Sequence, residues 1–156
     1  MNTLVIMRGI PGSGKSSCCL LGPKYGGDDY FMLTPNLYHF DQEQLGAAHR
    51  WTQWRVAAAC QRGMSTIYAD NTNTTWKEIK PYIEIAQEFC YKVVFKTPET
   101  SWAFDVDTCY LKNTHRVPKD VIQKMYDRFQ TNAEIATFMK EQFPMVQFEF
   151  QGKEKP

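Results

Sequence analysis

The sequence predicts an α/β fold, a mostly parallel sheet of about five strands lying between layers of helix. Three observations predict it: short continuously apolar runs, helix-period segments between them, and a glycine-rich turn joining the first run to the first helical segment. Thr3-Leu-Val-Ile-Met-Arg8 is apolar on both faces, as a central strand must be. Ser16 to Leu21 leaves room only for a short helix before Gly22-Pro23, and Tyr25 to Phe31 reads as a brief extended segment or turn. The first crossover is therefore compact. From Asp41 to Arg62 the positions Leu45, Ala48, Thr52, Val56 and Ala59 recur at helical spacing, with Gly63 at the C-terminal cap. Ser65 to Asp70 is a second buried strand, and it ends in the polar cluster Asp70-Asn71-Thr72-Asn73, at the end of a strand where open α/β sheets bind ligands.

Thr75-x-x-Glu78 has the form of a capping box, and Trp76, Ile79, Ile83, Ala86 and Cys90 form one apolar stripe behind it. Pro81 either kinks this helix or marks its true first turn. Lys92 to Thr97 is a third strand. Trp102 to Arg116 is mixed and polar, after which helical patterns run through Ile122, Met125, Tyr126 and Phe129, then through Ile135, Phe138 and Met139. The last strand, Met145 to Phe150, alternates as a half-covered edge strand does. Residues 1–151 are expected to form one domain and 152–156 a disordered polar tail. Alternation of strands with helices implies right-handed crossovers.

Composition narrows the function. The 156 residues hold 18 Lys and Arg against 17 acids, so no global basic field attracts nucleic acid, and any anion must be held by a local cluster. No apolar run is long enough to span a bilayer, which predicts a protein without a membrane partner. Cys18, Cys19, Cys60, Cys90 and Cys109 form an odd set with no CxxC pair, as in the reduced interior of a cell, cytoplasmic or nuclear. His39 and His49 have no triad partners, and no H-x-[ST] pair is present, so hydrolytic nucleophile chemistry is unsupported.

The chemistry is carried by Gly9-Ile10-Pro11-Gly12-Ser13-Gly14-Lys15-Ser16, a complete Walker A phosphate loop placed between a strand and a helix start, where its mechanism requires it. The fold class sharpens accordingly to a three-layer P-loop NTPase or kinase fold. Gly9, Pro11, Gly12, Ser13, Gly14, Lys15, Ser16 and Ser17 are the nucleotide-binding residues; backbone N–H groups face the phosphates, aided by the dipole of the helix beginning near Lys15. Lys15 neutralises the β- and γ-phosphates of ATP, and the Ser16 hydroxyl ligates Mg²⁺. Asp70 stands as a Walker B acid, holding a magnesium-bound water. Asp28 and Asp29 fall beside the expected γ-phosphate position, where a carboxylate can take a hydroxyl proton; in an extended segment the two point to opposite sides. Lys112 and Arg116 belong to a segment that can fold over the triphosphate as a lid. Arg50 and Arg55, set among Trp51 and Trp54, are acceptor-binding candidates together with Asn73.

These pieces resemble the polynucleotide 5′-kinase-like branch of P-loop kinases, the kinase domain of end-healing kinases and related kinase-like proteins. The resemblance lies in Arg8-Gly-Ile-Pro-Gly-Ser-Gly-Lys-Ser-Ser17, Asp28-Asp-Tyr-Phe31, Asp70-Asn-Thr-Asn73, Pro98-Glu-Thr-x-Trp102, and Lys112-Asn113 leading to Val117-Pro118. It implies transfer of a γ-phosphate from ATP to a 5′-hydroxyl, an aspartate general base matching Asp28, a lid cation matching Lys112 or Arg116, and single-stranded or end-exposed nucleic acid as partner. The chain departs from the pattern in a short gap from Lys15 to Asp28, in Phe31 and Met32 where an arginine often follows the acidic pair, in Asn71 where many members carry an acid, and in fewer lid arginines. Two other readings stay open: a kinase for a nucleoside, modified base or small alcohol, and a nucleotide-binding interaction module with little catalysis.

Overall fold

The computed structural model describes residues 1–18, 21–34 and 37–156, without the side chains of residues 33, 34 and 37. Strands β1 (Thr3–Met7), β2 (Lys24–Tyr25), β5 (Thr66–Asp70), β6 (Lys92–Lys96) and β7 (Phe148–Gln151) form one sheet in the order β2-β5-β1-β6-β7, and every pairing is parallel. A separate antiparallel hairpin of β3 (Met32–Thr34) and β4 (Leu37–Tyr38), not foreseen from the sequence, follows the acidic pair. The helices are α1 (Leu45–Gln61), α2 (Trp76–Glu88), α3 (Val106–Lys112), α4 (Lys119–Arg128) and α5 (Asn132–Gln142). Among the described residues no helix is long and apolar enough to cross a membrane.

The continuous apolar run of β1 is explained by its place at the centre. Leu4 and Ile6 face a large cluster with Ile67, Ala69, Val93 and Phe95 of the neighbouring strands, roofed by α1, α2 and α5. Val5 and Met7 face the opposite side with Tyr68, Val94 and Cys18. A third cluster around Ile10, Cys109 and Ile122 joins the phosphate loop to α3 and α4. The loop is thus rooted in apolar packing at its second residue.

Several local expectations are corrected. The segment after the phosphate loop is a single 3-10 turn, Lys15–Cys18, where a longer helix was expected; the rest of that expectation, at Cys19 and Leu20, lies outside the described residues. Residues 27–31 are a 3-10 turn and not extended, so the alternation argument for Asp28 and Asp29 fails. Thr75 caps α2 without its side chain; Glu78 reaches instead to the N–H (2.7 Å) and hydroxyl of Thr74. Pro81 lies inside α2, past its first turn. Cys90, placed on the apolar stripe, is exposed at positive φ beyond the helix. The stretch after Trp102, read as mixed and polar with no element assigned, contains α3, capped by Asp105. The polar tail does not hang free: the Thr97 hydroxyl donates to the Lys153 carbonyl, Asn132 Nδ2 donates to Glu154 (3.1 Å), and Lys155 Nζ donates to the Phe129 carbonyl (3.2 Å).

Arg8, directly after β1, is completely buried. Its Nε donates to the Asn73 carbonyl (2.9 Å) and its Nη2 to the carbonyls of Thr74 (3.2 Å) and Gln130 (2.8 Å), while the guanidinium lies 4.3 Å over the Phe129 ring. Burial depresses its pKa to about 10, partly opposed by Glu78 and Glu134. One cation thus ties the base of the phosphate loop to the loop after β5 and the start of the α4–α5 connection. Arg8→Met keeps the volume and strands these carbonyls in an apolar site, and each unmet partner costs about 1–3 kcal/mol, offset in part by removal of a buried charge. We expect a net loss of about 2–4 kcal/mol, read as a lower urea midpoint at unchanged slope; a midpoint equal to wild type would remove Arg8 from this role.

Candidate functional site

The phosphate loop is shaped by three constraints. Gly12 (φ +80°) and Gly14 (φ +103°) occupy the left-handed region, and a Cβ on Gly12 would collide with the Cys109 carbonyl of α3. Two of the loop's carbonyls are held from outside and one from within: the Trp102 indole N–H donates to Gly12 O (3.1 Å), the Thr100 hydroxyl to Ser13 O (2.8 Å), and the loop's own Ser17 hydroxyl to Gly14 O (2.8 Å). Gly9 N–H donates to Thr72 O (3.0 Å), fixing the loop against the end of β5. The N–H groups of Gly12 and Gly14 find no partner among the described residues, and the fully buried Ser13 Oγ has none. These unspent donors beside a cation suit an anion.

Lys15 folds back over Gly9, whose position admits no Cβ beside the Lys15 chain. Ser16 is exposed, while the Ser17 hydroxyl is already committed to Gly14. The expected helix dipole is corrected, because one 3-10 turn sums few peptide dipoles, which leaves the N–H groups and Lys15 as the groups here that suit an anion. Asp70 closes the other wall at the end of β5, in register with Met7 of β1. Burial raises its pKa above the ordinary value; Lys15 and Lys24 act against this, and Asp28 and Asp29 with it. Those four groups and Asp70 therefore feel one another across the loop's mouth.

The acidic pair divides its work. Asp29 takes Arg55 Nη1 at 3.1 Å and accepts from Gly26 N–H at 3.5 Å. Asp28 accepts from the Tyr38 hydroxyl at 3.0 Å and lies 3.4 Å from His115 Nε2. On the 3-10 turn Tyr30 does not share the side of Asp28: its hydroxyl donates to Gln44 (3.2 Å) and its ring meets Trp51. Arg55, one of the acceptor candidates, is spent on Asp29 and on the rings of Tyr25 (4.6 Å) and Trp51 (4.3 Å). Arg50 is exposed on α1. Asn73 is corrected outright as an acceptor ligand: it is buried at φ +44°, and its amide nitrogen donates to Met7 O (2.7 Å), stapling the 71–74 loop to β1.

On the lid side, Lys112 Nζ sits 4.4 Å over the Trp102 ring, on the outer side of the indole that grips Gly12. Arg116 is exposed at φ +56°. Thr100 and Trp102 stand in Pro98-Glu-Thr-x-Trp102, and His115 stands in the lid stretch Lys112 to Arg116, but sequence reasoning assigned none of the three a role of its own; nothing local marks Tyr38.

A parallel sheet with the phosphate loop after its central strand, and an acid ending the adjacent strand, defines the P-loop kinase fold. Comparison with known proteins agrees. A chain of the Pnkp1/Rnl/Hen1 RNA repair complex superposes with a TM-score of 0.60 at 17% identity, covering 99% of this chain and 49% of that one. Human NEDD4-binding protein 2 is 36% identical over 148 residues, 90% of this chain and 8% of that protein. Mouse 2′,3′-cyclic-nucleotide 3′-phosphodiesterase is 28% identical over 130 residues, 79% of this chain and 30% of that protein. The chain thus spans less than a third of either relative. No family model matches it.

The raised pKa of Asp70 has a consequence for stability. A carboxyl whose folded pKa lies above its unfolded value contributes stability below the unfolded value and loses it as pH rises through the folded one, so at neutral pH the ionised Asp70 is a burden. Asp70→Asn should raise the melting temperature of the ligand-free protein at pH 7, with the advantage vanishing under acid, while lowering Mg²⁺-dependent ATP affinity. A lower melting temperature at pH 7 would contradict the assignment of Asp70 as a group held for function at a cost in stability.

Proposed function

We propose that this chain is an ATP- and Mg²⁺-dependent kinase that moves a γ-phosphate to the 5′-hydroxyl of RNA or DNA. The observation that carries the reading is the convergence of a phosphate loop, Lys15, the half-buried Asp70 and the exposed carboxylate of Asp28 on one mouth of the sheet. The fold of the RNA-repair neighbour supports it, as do the names of the cyclic-nucleotide relatives. The unspent N–H groups of the loop fit a triphosphate, with Lys15 on its outer phosphates. Ser16 and Asp70 suit Mg²⁺, directly or through water, and the ion would draw off charge building on the β- and γ-phosphates. The acceptor oxygen attacks the γ-phosphorus, its bond to the β-bridging oxygen breaks to release ADP, and the hydroxyl proton passes to the Asp28 carboxylate. Lys112 and Arg116 meet the charge redistributed in that step.

One observation favours a smaller acceptor as the second reading. Arg55 is consumed by Asp29, and Phe31 and Met32 follow the acidic pair, so few cations remain to neutralise a polynucleotide. Labelling from γ-labelled ATP decides between them. A 5′-hydroxyl oligonucleotide should be phosphorylated, with log affinity falling against log salt at a slope of roughly −1 to −2 for about one to three phosphates contacted. Labelling of nucleosides or small alcohols, with oligonucleotides of both sugars untouched, would install the second reading.

Lys15→Ala should abolish transfer while the protein stays folded. Asp28→Asn should lower the single-turnover rate by about 10² to 10⁴ with ATP affinity held, whereas Asp29→Asn should lose chemistry only slightly and cost at most about 1 kcal/mol. The reverse pattern moves the base to Asp29. Arg116→Gly relieves the left-handed backbone and should leave stability within about 1 kcal/mol, yet slow turnover by about 10² to 10³, below the span of a lone arginine finger because Lys112 shares its work. Unchanged turnover returns Arg116 to the surface.

A further inference from the structure

A lone carboxylate on a short turn makes a poor base, because its terminal torsion is broad and its oxygens interchange freely. The Asp28 side chain is 61% exposed, yet it is not lone. Tyr38 donates its hydroxyl to Oδ1 at 3.0 Å, and His115 Nε2 stands 3.4 Å from Oδ2. The two partners lie ring against ring, tilted, with centroids 4.1 Å apart and planes 32° from each other. We propose that Tyr38 and His115 are positioning residues for Asp28, and that His115, carried on the 113–118 segment, makes the carboxylate ready only when that segment is docked. This rests on the reading of Asp28 as the proton acceptor.

Each partner is held by its own element. The β3–β4 hairpin brings Tyr38 back beside the turn that carries Asp28: Met32 pairs with Tyr38, and His39 N–H donates to Phe31 O at 2.8 Å. The Tyr38 ring also meets that of Phe31 at 6.1 Å. Burial, and then the adjacent Asp28 charge, raise the Tyr38 pKa, so its hydroxyl remains a donor at any working pH. His115 comes from the far side of the mouth. Asn113 shapes its loop, accepting from Val117 N–H (2.7 Å) and donating to Tyr110 O (2.6 Å). The preceding helix α3 abuts the phosphate loop at Gly12.

The geometry accounts for both oxygens of the base. A carboxylate offers about four lone-pair sites, so one contact on each oxygen leaves sites free for an acceptor hydroxyl while fixing the plane in which they point. An error of about 1 Å in such an alignment can cost on the order of 10² in rate. The segment that carries the lid candidate Arg116, directly after the helix that ends at Lys112, therefore also orients the proton acceptor.

The test uses the intact chain with ATP, Mg²⁺ and a 5′-hydroxyl oligonucleotide, or whichever acceptor the labelling experiment returns. His115→Ala and Tyr38→Phe should each lower kcat by about 10- to 100-fold with the KM for ATP unchanged. His115→Gln, which returns an N–H donor near the position of Nε2, should recover to within about threefold of wild type. The double variant should fall well short of the product of the single losses, because the two touching rings act as one unit. Asp28→Asn is run alongside. If it is inactive while His115→Ala and Tyr38→Phe turn over normally, the positioning proposal fails and the base stands; if Asp28→Asn is itself active, the base assignment fails. His115→Gln as slow as His115→Ala, in a protein that melts like wild type, would also overturn the proposal.

Discussion

A phosphate loop has to leave its N–H groups unpaired toward the ligand, and a backbone that gives up its own hydrogen bonds must be held in shape by something else. That constraint organises this molecule. The loop's outward carbonyls are taken by Trp102, Thr100 and Ser17, and its first residue is fastened to Thr72. Ile10 is sunk into the cluster with Cys109 and Ile122, and α3 lies so close that position 12 admits no side chain. Beneath it Arg8 spends a whole buried guanidinium on three carbonyls of other loops. A charge is an expensive tie in a core, and its value lies in serving several acceptors that no neutral side chain reaches at once. The indole of Trp102 carries the same logic outward, with one edge on Gly12 O and one face under Lys112.

The charges around the mouth follow from where the strands end. Asp70 leaves β5 beside Met7, and its half-buried carboxylate is disfavoured as an anion, which Lys15 and Lys24 only partly relieve. A carboxylate held against its solvation in this way is eased by any cation brought close to it. Asp28 and Asp29, one residue apart, are separated by the 3-10 turn into different roles. Asp29 turns to Arg55 on α1 and helps fix the turn; Asp28 turns to the mouth. Arg55 is thereby converted from a ligand candidate into a support, stacked between Tyr25 and Trp51.

What the sequence made legible was whatever local pattern alone determines. The apolar run of β1, the glycine loop after it and the helix period of α1 are short-range signals, and the sheet and the phosphate site follow from them. The place of Asp70 at a strand end was readable from the apolar run before it. The errors fall where tertiary contacts override local chemistry. Glu78 sits at capping-box spacing from Thr75 yet bonds Thr74, because the loop before α2 is already held by Arg8 and Asn73. Asn73 looked like a free polar group beside a ligand site, but a left-handed backbone position between two strand ends needs an asparagine that can bond back to β1. The tail looked disordered by composition, and it docks because carbonyls at Phe129 and a hydroxyl at Thr97 wait for it. The pairing of His115 with Asp28 leaves no local trace at all, since each residue is ordinary in its own segment.

The two halves of the site differ in how they are built, and the difference bears on what can vary. The donor half is embedded: Arg8, Ser13 and Asn73 are buried, and the Gly12 and Ser13 carbonyls are held by Trp102 and Thr100 of the segment after β6. The acceptor half is assembled at the surface from a 3-10 turn, a short hairpin and the 113–118 loop, meeting through exposed side chains at Asp28 and His115. Changes in the first propagate into the sheet, whereas changes in the second cost little stability. A P-loop kinase can therefore keep one way of holding a triphosphate while its choice of hydroxyl shifts. Phe31 and Met32 follow the acidic pair at the edge of that surface half, Phe31 buried against the Phe40 ring and Met32 exposed.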